Sequence, residues 1–158
     1  MIIAGIDPGL DGGIAWVCDD DPMVKTMKMP VVSNRTKAKT ERRLDTKLIM
    51  AELYDMGLVV IERQQAMPKQ GVASTFKIGK NYGILLGILA AMEIPFQEVR
   101  PQEWKNSVLK GTKKDKGAAI EFCQRRYPEA KLVPIGCRVP HDGLADALCL
   151  AHYGKGLV

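Results

Sequence analysis

Residues 2–17 read IIAGIDPGLDGGIAWV and decide the interpretation of the fold. Apolar and small residues run from Ile2 to Ile6, Asp7 ends the run, and a segment rich in Gly, Pro and Asp leads into a second apolar run. Two such runs joined by such a segment predict a β-hairpin. A carboxylate at the end of an apolar strand has no packing role, so Asp7 is predicted to hold a ligand.

The length and composition predict one soluble domain. The chain has 158 residues, of which 46% are hydrophobic, enough for a single core. The longest apolar stretch, at 83–92, is about half of the ~20 residues that span a bilayer, and no signal peptide is expected. The four cysteines lack the spacing of a zinc site or a disulfide framework, which is typical of a cytoplasmic protein.

The charge pattern points to a polyanion as partner. The net charge is +5, and basic residues cluster in three segments. Residues 35–47 and 100–116 each contain six basic and two acidic residues, and residues 63–80 contain four basic residues and no acid. Nucleic acid is the first candidate partner. Solvated helix faces are the alternative that charge alone leaves open.

The periodicity of apolar residues predicts an α/β domain that spans residues 1–158. Strands are expected at 2–7, 13–17, 24–30, 57–62 and 96–99. Helices are expected at 41–56, 71–92, 101–109, 113–127 and 141–154, and the polar, basic segment 31–40 is expected to be a loop. Three meandering strands followed by strands alternating with helices predict a mixed sheet with helices on both faces.

Four acidic residues are predicted to meet at one end of this sheet. Asp7 and Glu62 each end a strand, and parallel neighbouring strands would bring both to the same edge. Asp142 and Asp146 are four residues apart, so they share one face of the last helix. Carboxylates that close repel one another unless a cation lies between them, and Mg²⁺ or Mn²⁺ suits oxygen ligands. Two such ions would support in-line displacement at a phosphodiester.

Each acid taken alone also has an ordinary structural interpretation. Asp7 fits the start of the turn that follows it, Glu62 fits a pair with a lysine, and Asp142 fits a helix cap. Asp146 is harder to explain in this way. It lies among apolar residues on a helix that reads as core, where an unpaired charge is costly.

Three segments together resemble the RuvC-type Holliday junction resolvases: GIDPG at 5–9, VIE at 60–62 and DGLADALCLA at 142–151. The resemblance covers essentially the whole chain and includes PQEWK at 101–105. It implies a ribonuclease-H-like fold with a five-stranded mixed sheet flanked by helices on both faces. It also implies a homodimeric, structure-selective endonuclease that makes paired nicks in four-way DNA junctions. Other branched DNAs are further candidate substrates.

The resemblance implies a role for particular residues. Asp7, Glu62 and Asp146 match the family's metal-binding acids, with two Mg²⁺ or Mn²⁺ ions expected per site. The family's fourth acid lies three residues before the last one, where this chain has Gly143; Asp142 is therefore assigned, with His141 as a lesser candidate. Family lysines near the scissile phosphate are matched by Lys105 and Lys116.

Basic residues near these segments are predicted to contact DNA. They are Arg63, Lys69, Lys77, Lys80, Lys105, Lys113, Lys114 and Lys116. Bacterial members carry an aromatic residue after the catalytic Glu, and this chain has Gln65 near that place. With the basic segment 35–47, this departure resembles the phage-encoded branch of the family. No nucleotide cofactor and no membrane partner are expected.

A stripe of small residues marks the helix predicted at 71–92. The stripe recurs every four residues and consists of Gly71, Thr75, Gly79, Gly83 and Gly87. Interior glycines cost a helix about 1 kcal/mol each relative to Ala, so close approach of another element is expected. Tight packing onto the sheet and a helix-to-helix dimer contact are both open, and the resemblance favours the second.

Three further functions stay open at this point. A nuclease of the same fold that cuts the RNA strand of an RNA–DNA hybrid would use the same acids. The segment GIDPGLDGGIA also resembles the phosphate-binding turn of sugar kinases and actin, which need a second domain for which 158 residues leave no room. A DNA-binding module without catalysis is disfavoured, because the retained acids would repel phosphates.

Overall fold

The first strand is apolar on both faces, and the sheet is built around it. The structure is a computed structural model that describes residues 1–18 and 22–158, with the side chain of Lys116 outside the described part. The strands are β1 (Ile2–Asp7), β2 (Gly13–Cys18), β3 (Val24–Lys28), β4 (Val31–Arg35), β5 (Thr40–Leu44), β6 (Leu58–Glu62) and β7 (Phe96–Val99). The helices are α1 (Thr46–Glu52), α2 (Val72–Ala91), α3 (Pro101–Val108), α4 (Lys116–Arg126) and α5 (Asp142–Gly154).

Five strands form one mixed sheet in the order β3-β2-β1-β6-β7, which confirms the predicted architecture. β1 and β2 pair antiparallel, as do β2 and β3, so the opening hairpin and its third strand form as expected. β6 pairs parallel to both β1 and β7. The register sets Ile6 opposite Ile61, so β1 and β6 end together at the same edge of the sheet.

Helices cover both faces of this sheet. On one face, Ile3 and Val60 pack in a core cluster that includes Leu148 of α5 and residues of α3 and α4. On the other face, Ala4 and Ile61 pack in a second cluster that includes residues of α1 and α2. Successive strand residues point to opposite faces, so a fully apolar strand such as β1 supplies both clusters. In the part of the chain described, no helix is long and apolar enough to cross a membrane.

Helix α5 lies directly against β1, because Gly5 has no side chain. A Cβ at Gly5 would collide with the carbonyl oxygen of Ala147 and the amide nitrogen of Ala151. The absence of a side chain on β1 therefore lets the helix backbone touch the strand. This close approach fixes where the acidic face of α5 lies relative to the end of β1.

The prediction for residues 31–56 is wrong in two respects. The expected loop at 31–40 contains β4, and the first residues of the expected helix at 41–56 form β5. These two strands make a separate antiparallel sheet, with Val31 opposite Leu44. Helix α1 begins only at Thr46, because the side chain of Asp45 caps it by accepting a hydrogen bond of 3.1 Å from the Leu48 amide.

The small residues of α2 do not pack onto the sheet. An added Cβ at Gly79, Gly83 or Gly87 would meet nothing within 4 Å in the chain. The packing alternative for these glycines is therefore wrong. Helix α2 instead contacts the sheet through a different side, on which Leu85 and Leu89 are buried.

Candidate active site

Asp7 and Glu62 lie at the edge where β1 and β6 end. The parallel register pairs Gly5 with Val60 and Ile6 with Ile61, and the two acids are the next residues of their strands. The structure therefore gives the adjacency that was expected if the strands were neighbours. We call this place, with Asp7, Glu62, Asp142 and Asp146, the acidic edge.

The carboxyl of Asp7 is the electrostatic centre of the acidic edge. Its pKa is raised from 3.8 to about 7. Burial is the largest cause of this rise, and the charges of Glu62, Asp146 and Asp142 contribute to it in that order. Acids distant in the sequence thus act on one carboxyl in the folded chain. An acid that shares its site with other negative charges gains much from a cation placed among them.

Helix α5 supplies Asp142 and Asp146 because of its contact with β1. Asp142 is the first residue of α5, and Asp146 lies one turn later on the same face. Both side chains are partly buried and have interactions within the chain. Leu144 lies on the opposite side of α5 and is buried in the core, as is Ala145, which anchors the helix.

Gly143 lies tightly against the β1–β2 turn, where there is no room for a side chain. A Cβ at Gly143 would lie 2.9 Å from the Cα of Gly12, 2.9 Å from the carbonyl oxygen of Asp11 and 3.0 Å from Oδ2 of Asp7. Real side chains essentially never come as close as 2.9 Å, so no side chain fits here. The β1–β2 turn occupies the space that an acid at 143 would need, and the acid nearby is Asp142.

A buried tryptophan orients Glu62. The indole nitrogen Nε1 of Trp104 in α3 donates a hydrogen bond of 2.8 Å to Oε2 of Glu62, and the side-chain amide of Gln64 donates one of 3.5 Å to Oε1. Trp104 is fully buried. Sequence reasoning placed PQEWK in the resemblance but assigned no role to its tryptophan. A donor-bearing aromatic next to a predicted site lysine was the available signal.

Lys105 brings a positive charge to the acidic edge. Its charge lowers the pKa of Asp7, against the other acids. Its Nζ lies 5.2 Å from the centre of the Trp104 ring. Lys105 therefore lies near Asp7, and its expected place beside the scissile phosphate stays a prediction. Lys116 begins α4, and its side chain lies outside the described residues.

His141 directly precedes α5 and lies near Asp11 of the β1–β2 turn. The hydrogen bond from Arg42 is the largest cause that lowers the pKa of Asp11, and His141 has a smaller effect in the same direction. The Nδ1 atom of His141 is buried and, among the described residues, has no hydrogen-bond partner. An unpaired ring nitrogen at this position keeps His141 as the alternative to Asp142.

The acidic edge has the oxygen ligands that a hard divalent cation prefers. Its side chains, however, are not arranged to bind the cation together. Within residues 1–18 and 22–158, no three His, Cys, Asp or Glu side chains form a ready set of metal ligands. Both oxygens of Glu62 already accept hydrogen bonds. The donors are oxygens, and burial together with the neighbouring acids raises the pKa of Asp7, against the opposite effect of Lys105. The residues therefore fit such a cation after local turning of side chains.

The basic residues predicted to contact DNA occupy three places. Arg63 follows Glu62 and lines an open cavity of about 620 Å³ with it, and Lys69 lies in the exposed turn before α2. Lys77 and Lys80 lie on α2 and face the β4–β5 hairpin. Lys113 and Lys114 precede α4, and Nζ of Lys114 donates to Oδ1 of Asn106. Arg63 adjoins the acidic edge at Glu62, and Lys105, described above, adjoins it at Asp7.

A five-stranded mixed sheet with acids at the ends of its central parallel strands defines a ribonuclease-H-like fold of the RuvC type. Two structures of RuvC from Thermus thermophilus share it. One, in complex with a Holliday junction substrate, has a TM-score of 0.60 and 17% identity over 96% of this chain and 90% of that one. The other has a TM-score of 0.56 and 21% identity over 96% and 91%.

The yeast mitochondrial Holliday junction resolvase shares the fold more distantly. Its TM-score is 0.52, with 11% identity over 97% of this chain and 77% of that one. Sequence comparison finds no matching family model and no matching curated protein. The structural likeness confirms the resemblance to RuvC-type resolvases at the level of the fold.

Proposed function

We propose that this protein is a RuvC-type, structure-selective DNA endonuclease that resolves four-way junctions by metal-dependent hydrolysis. The observation that carries the proposal is the set of acids around Asp7, at the edge where β1 and β6 end. A fold shared with RuvC from Thermus thermophilus, solved with a junction substrate, supports this assignment. An excess of basic residues around a small acidic centre suits a polyanionic substrate.

Four carboxylates would hold the divalent cations at the acidic edge. Asp7 lies at the centre, Glu62 and Asp146 flank it, and Asp142 completes the set, with His141 as the alternative. When bound, Mg²⁺ or Mn²⁺ supplies Lewis-acid polarisation of the phosphate and lowers the pKa of water. Two ions per site are expected, as the resemblance implies.

The remaining residues orient the reactants. Trp104 holds the carboxylate of Glu62 in one direction through its indole N–H. Lys105 lies close enough to Asp7 to act on its pKa, and there it would stabilise negative charge that develops on the phosphate. Hydrolysis forms a bond from water to phosphorus and breaks the bond to the 3′ oxygen, leaving a 5′-phosphate and a 3′-hydroxyl.

The exposed face of α2 supports a homodimer. Val72 and Phe76 are 88% and 73% exposed, and they lie on one helix face with Gly79, Gly83 and Gly87. Val72 and Phe76 form an exposed apolar patch in the first turns of α2, and the glycines after them leave the helix surface flat. Such a face suits close approach of a second helix. A two-fold dimer would present two acidic edges to two strands of a symmetric junction.

Cleavage of defined DNAs tests the proposal. Purified protein is incubated with end-labelled four-way junction, fork, duplex and RNA–DNA hybrid, with Mg²⁺, with Mn²⁺ and with EDTA. Paired nicks at the junction that require a divalent ion are expected. Cleavage of the RNA strand in the hybrid, with the junction left intact, would favour the other ribonuclease-H-type activity instead.

The size of the protein in solution tests the dimer separately. Sedimentation equilibrium is expected to give twice the mass of the chain, and Phe76→Glu is expected to give a monomer. Ile135→Glu makes the same apolar-to-acid change at an exposed residue outside α2, and serves as the control. A monomeric parent protein would rule out the dimer. The proposed hydrolysis at the acidic edge would not be affected by that result.

A further inference from the structure

A second positively charged surface lies between the β4–β5 hairpin and helix α2, in an open groove of about 740 Å³. We propose that this groove binds the sugar-phosphate backbone of a duplex arm of the substrate, away from the scissile phosphate. The inference rests on the proposed function, since it assigns the place of one arm of the same DNA. We call this surface the hairpin groove.

Cations from three elements converge in the hairpin groove. Arg43 and Lys47 enter from the hairpin and the start of α1, and Lys77 and Lys80 enter from α2. All four side chains are exposed. In the part of the chain that the structure describes, none of them makes an ion pair with a carboxylate. Their charges are therefore available to an external anion.

The acids in the groove do not cancel this charge. Two acids line it, Glu41 and Asp45. Asp45 is occupied as the cap of α1, where it accepts from the Leu48 amide. Glu41 stands alone against four exposed cations. A surface with this balance attracts phosphates over a distance of about one Debye length, ~8–10 Å in physiological salt.

The lining of the groove favours a duplex backbone over bases. Beside the cations it contains the neutral hydrogen-bonding residues Asn34, Thr46 and Asn81, and it contains no aromatic side chain. Single-stranded nucleic acid is held mainly by bases stacked on aromatic rings, which this groove lacks. Phosphate contacts from lysine, arginine, asparagine and threonine are the type that positions a duplex.

Arg42 ties the hairpin groove to the acidic edge. Its Nη2 donates a hydrogen bond of 2.8 Å to the carbonyl oxygen of Leu10 and one of 2.9 Å to Oδ1 of Asp11. Leu10 and Asp11 lie in the turn that follows Asp7, and Asp11 touches the space beside Gly143. The hairpin is thereby held at a fixed place relative to the acids. An arm in the groove is thus positioned relative to the phosphate at the acidic edge.

Binding measurements with matched variants test the inference. The double variant Arg43→Gln/Lys47→Gln removes two groove charges, and Arg125→Gln/Lys131→Gln removes two exposed charges of the α4 region as the control. Binding to a fluorescent long-armed junction is measured in Ca²⁺, from 50 to 300 mM salt. We expect the groove variant to bind about tenfold more weakly and its salt slope to fall by about two, because each phosphate contact contributes about one.

Arm length provides the second measurement. The arms of the junction are shortened in steps, and the affinities of the parent, groove and control proteins are compared at each length. The groove variant is expected to differ from the parent only while the arms are long enough to reach the groove.

The outcomes separate this inference from the proposed function. If the parent binds and cuts junctions but the groove variant binds like the control, the inference is wrong and the proposed function stands. If the groove variant loses affinity equally for single strands and for junctions of every arm length, a duplex arm is not the occupant. A parent that neither binds nor cuts junctions overturns the proposed function, and the inference with it. Circular dichroism verifies that each variant is folded.

Discussion

The acidic edge and the hairpin groove are opposites in charge, burial and construction. The acidic edge lies where two core strands end beneath α5, and its central carboxyl is buried enough to have a pKa of about 7. The hairpin groove consists of exposed cations on a two-stranded sheet and one side of α2. Arg42 links the two through the turn after Asp7.

Under the proposed function, this difference assigns the chemistry to the acidic edge and the holding of DNA to the hairpin groove. A buried group of like charges is costly by itself and gains most from a bound cation, so the acidic edge suits chemistry. Exposed cations are individually weak and screened by salt, so the hairpin groove suits reversible holding of DNA. Changes in the first region should alter the rate of cleavage, and changes in the second should alter affinity.

The largest effect is expected for Asp7→Asn. The substitution removes the central carboxylate without changing its size, and junction cleavage in Mg²⁺ should fall by at least about a thousandfold, since several kcal/mol of transition-state stabilisation depend on the cation. Junction affinity in Ca²⁺ should change little. Asp55→Asn makes the same chemical change in an exposed loop and should cleave normally. Normal cleavage by Asp7→Asn would refute the role of the acidic edge.

Gly143→Ala should damage both stability and cleavage. Its Cβ would be pressed against Gly12 and Oδ2 of Asp7, and overpacking of this kind costs about 1–3 kcal/mol. Thermal unfolding in EDTA and the cleavage rate measure the two effects. Gly117→Ala is the control in the first turn of α4, where the nearest atom is at an ordinary 3.4 Å. Equal melting temperatures for both variants would contradict the tight fit at Gly143.

Removing the charge of Asp7 should stabilise the protein in the absence of metal. Its pKa is about 7 in the folded chain and 3.8 when unfolded, so the carboxyl favours folding less and less as the pH rises from about 4 to 7. The Asp7→Asn variant has no carboxyl to ionise, so its free energy of unfolding does not fall in this way. Above pH 7 it should be more stable than the parent by about 1–3 kcal/mol. Urea unfolding in EDTA at pH 5 and pH 8 measures the difference, which should be larger at pH 8. A smaller advantage at pH 8 than at pH 5 would contradict the burial of charge.

Arg42→Gln should uncouple the two regions. Loss of the hydrogen bonds to Leu10 and Asp11 frees the hairpin from the turn, and we expect about a three- to tenfold lower cleavage rate at saturation, because a charged bond of this kind is worth about 1 kcal/mol. Arg42→Lys keeps the charge but not the two-pronged contact. If the lysine variant cleaves like the parent, charge alone suffices and positioning by Arg42 is excluded.

The smallest effect concerns the glycines of α2. Gly79→Ala and Gly83→Ala should weaken the proposed dimer by about 1 kcal/mol, because each added methyl separates closely packed helices. Sedimentation equilibrium measures the dissociation constant. In a helix face that meets only water, the same changes would stabilise the fold by up to about 1 kcal/mol each. Higher melting temperatures with unchanged mass would therefore argue against this face as the contact.

Local sequence signals were sufficient for most elements but failed in the hairpin. Apolar runs correctly predicted the strands β1, β2 and β6. The long stretch at 71–92 correctly predicted the helix α2. Residues 31–44 are polar and basic, and their pairing depends on contact between strands rather than on either strand alone. The spacing of Leu44 and Leu48 imitated a helix, although Leu44 is buried at the end of a strand.

In the candidate site, too, the sequence pointed to some residues and the folded chain revealed others. Asp7, Glu62 and Asp146 were predicted as site residues from their places at strand ends or within an apolar helix, together with the family resemblance, and their role as metal ligands stays a prediction. The sequence alone did not assign a role to Trp104, because its hydrogen bond to Glu62 joins residues 42 positions apart. The reason for a glycine at 143 was equally hidden, since it lies in contact with the β1–β2 turn.

The sequence by itself determined the sheet and the helices on both faces, because burial and periodicity are properties of short segments. It also selected the candidate acids, whose role as metal ligands stays a prediction. Only the tertiary structure decided how these acids meet. The parallel register of β1 with β6 and the contact of α5 with Gly5 set their positions. The hairpin groove also exists only in the folded chain, because electrostatic and steric effects act between groups that folding, and not chain order, brings together.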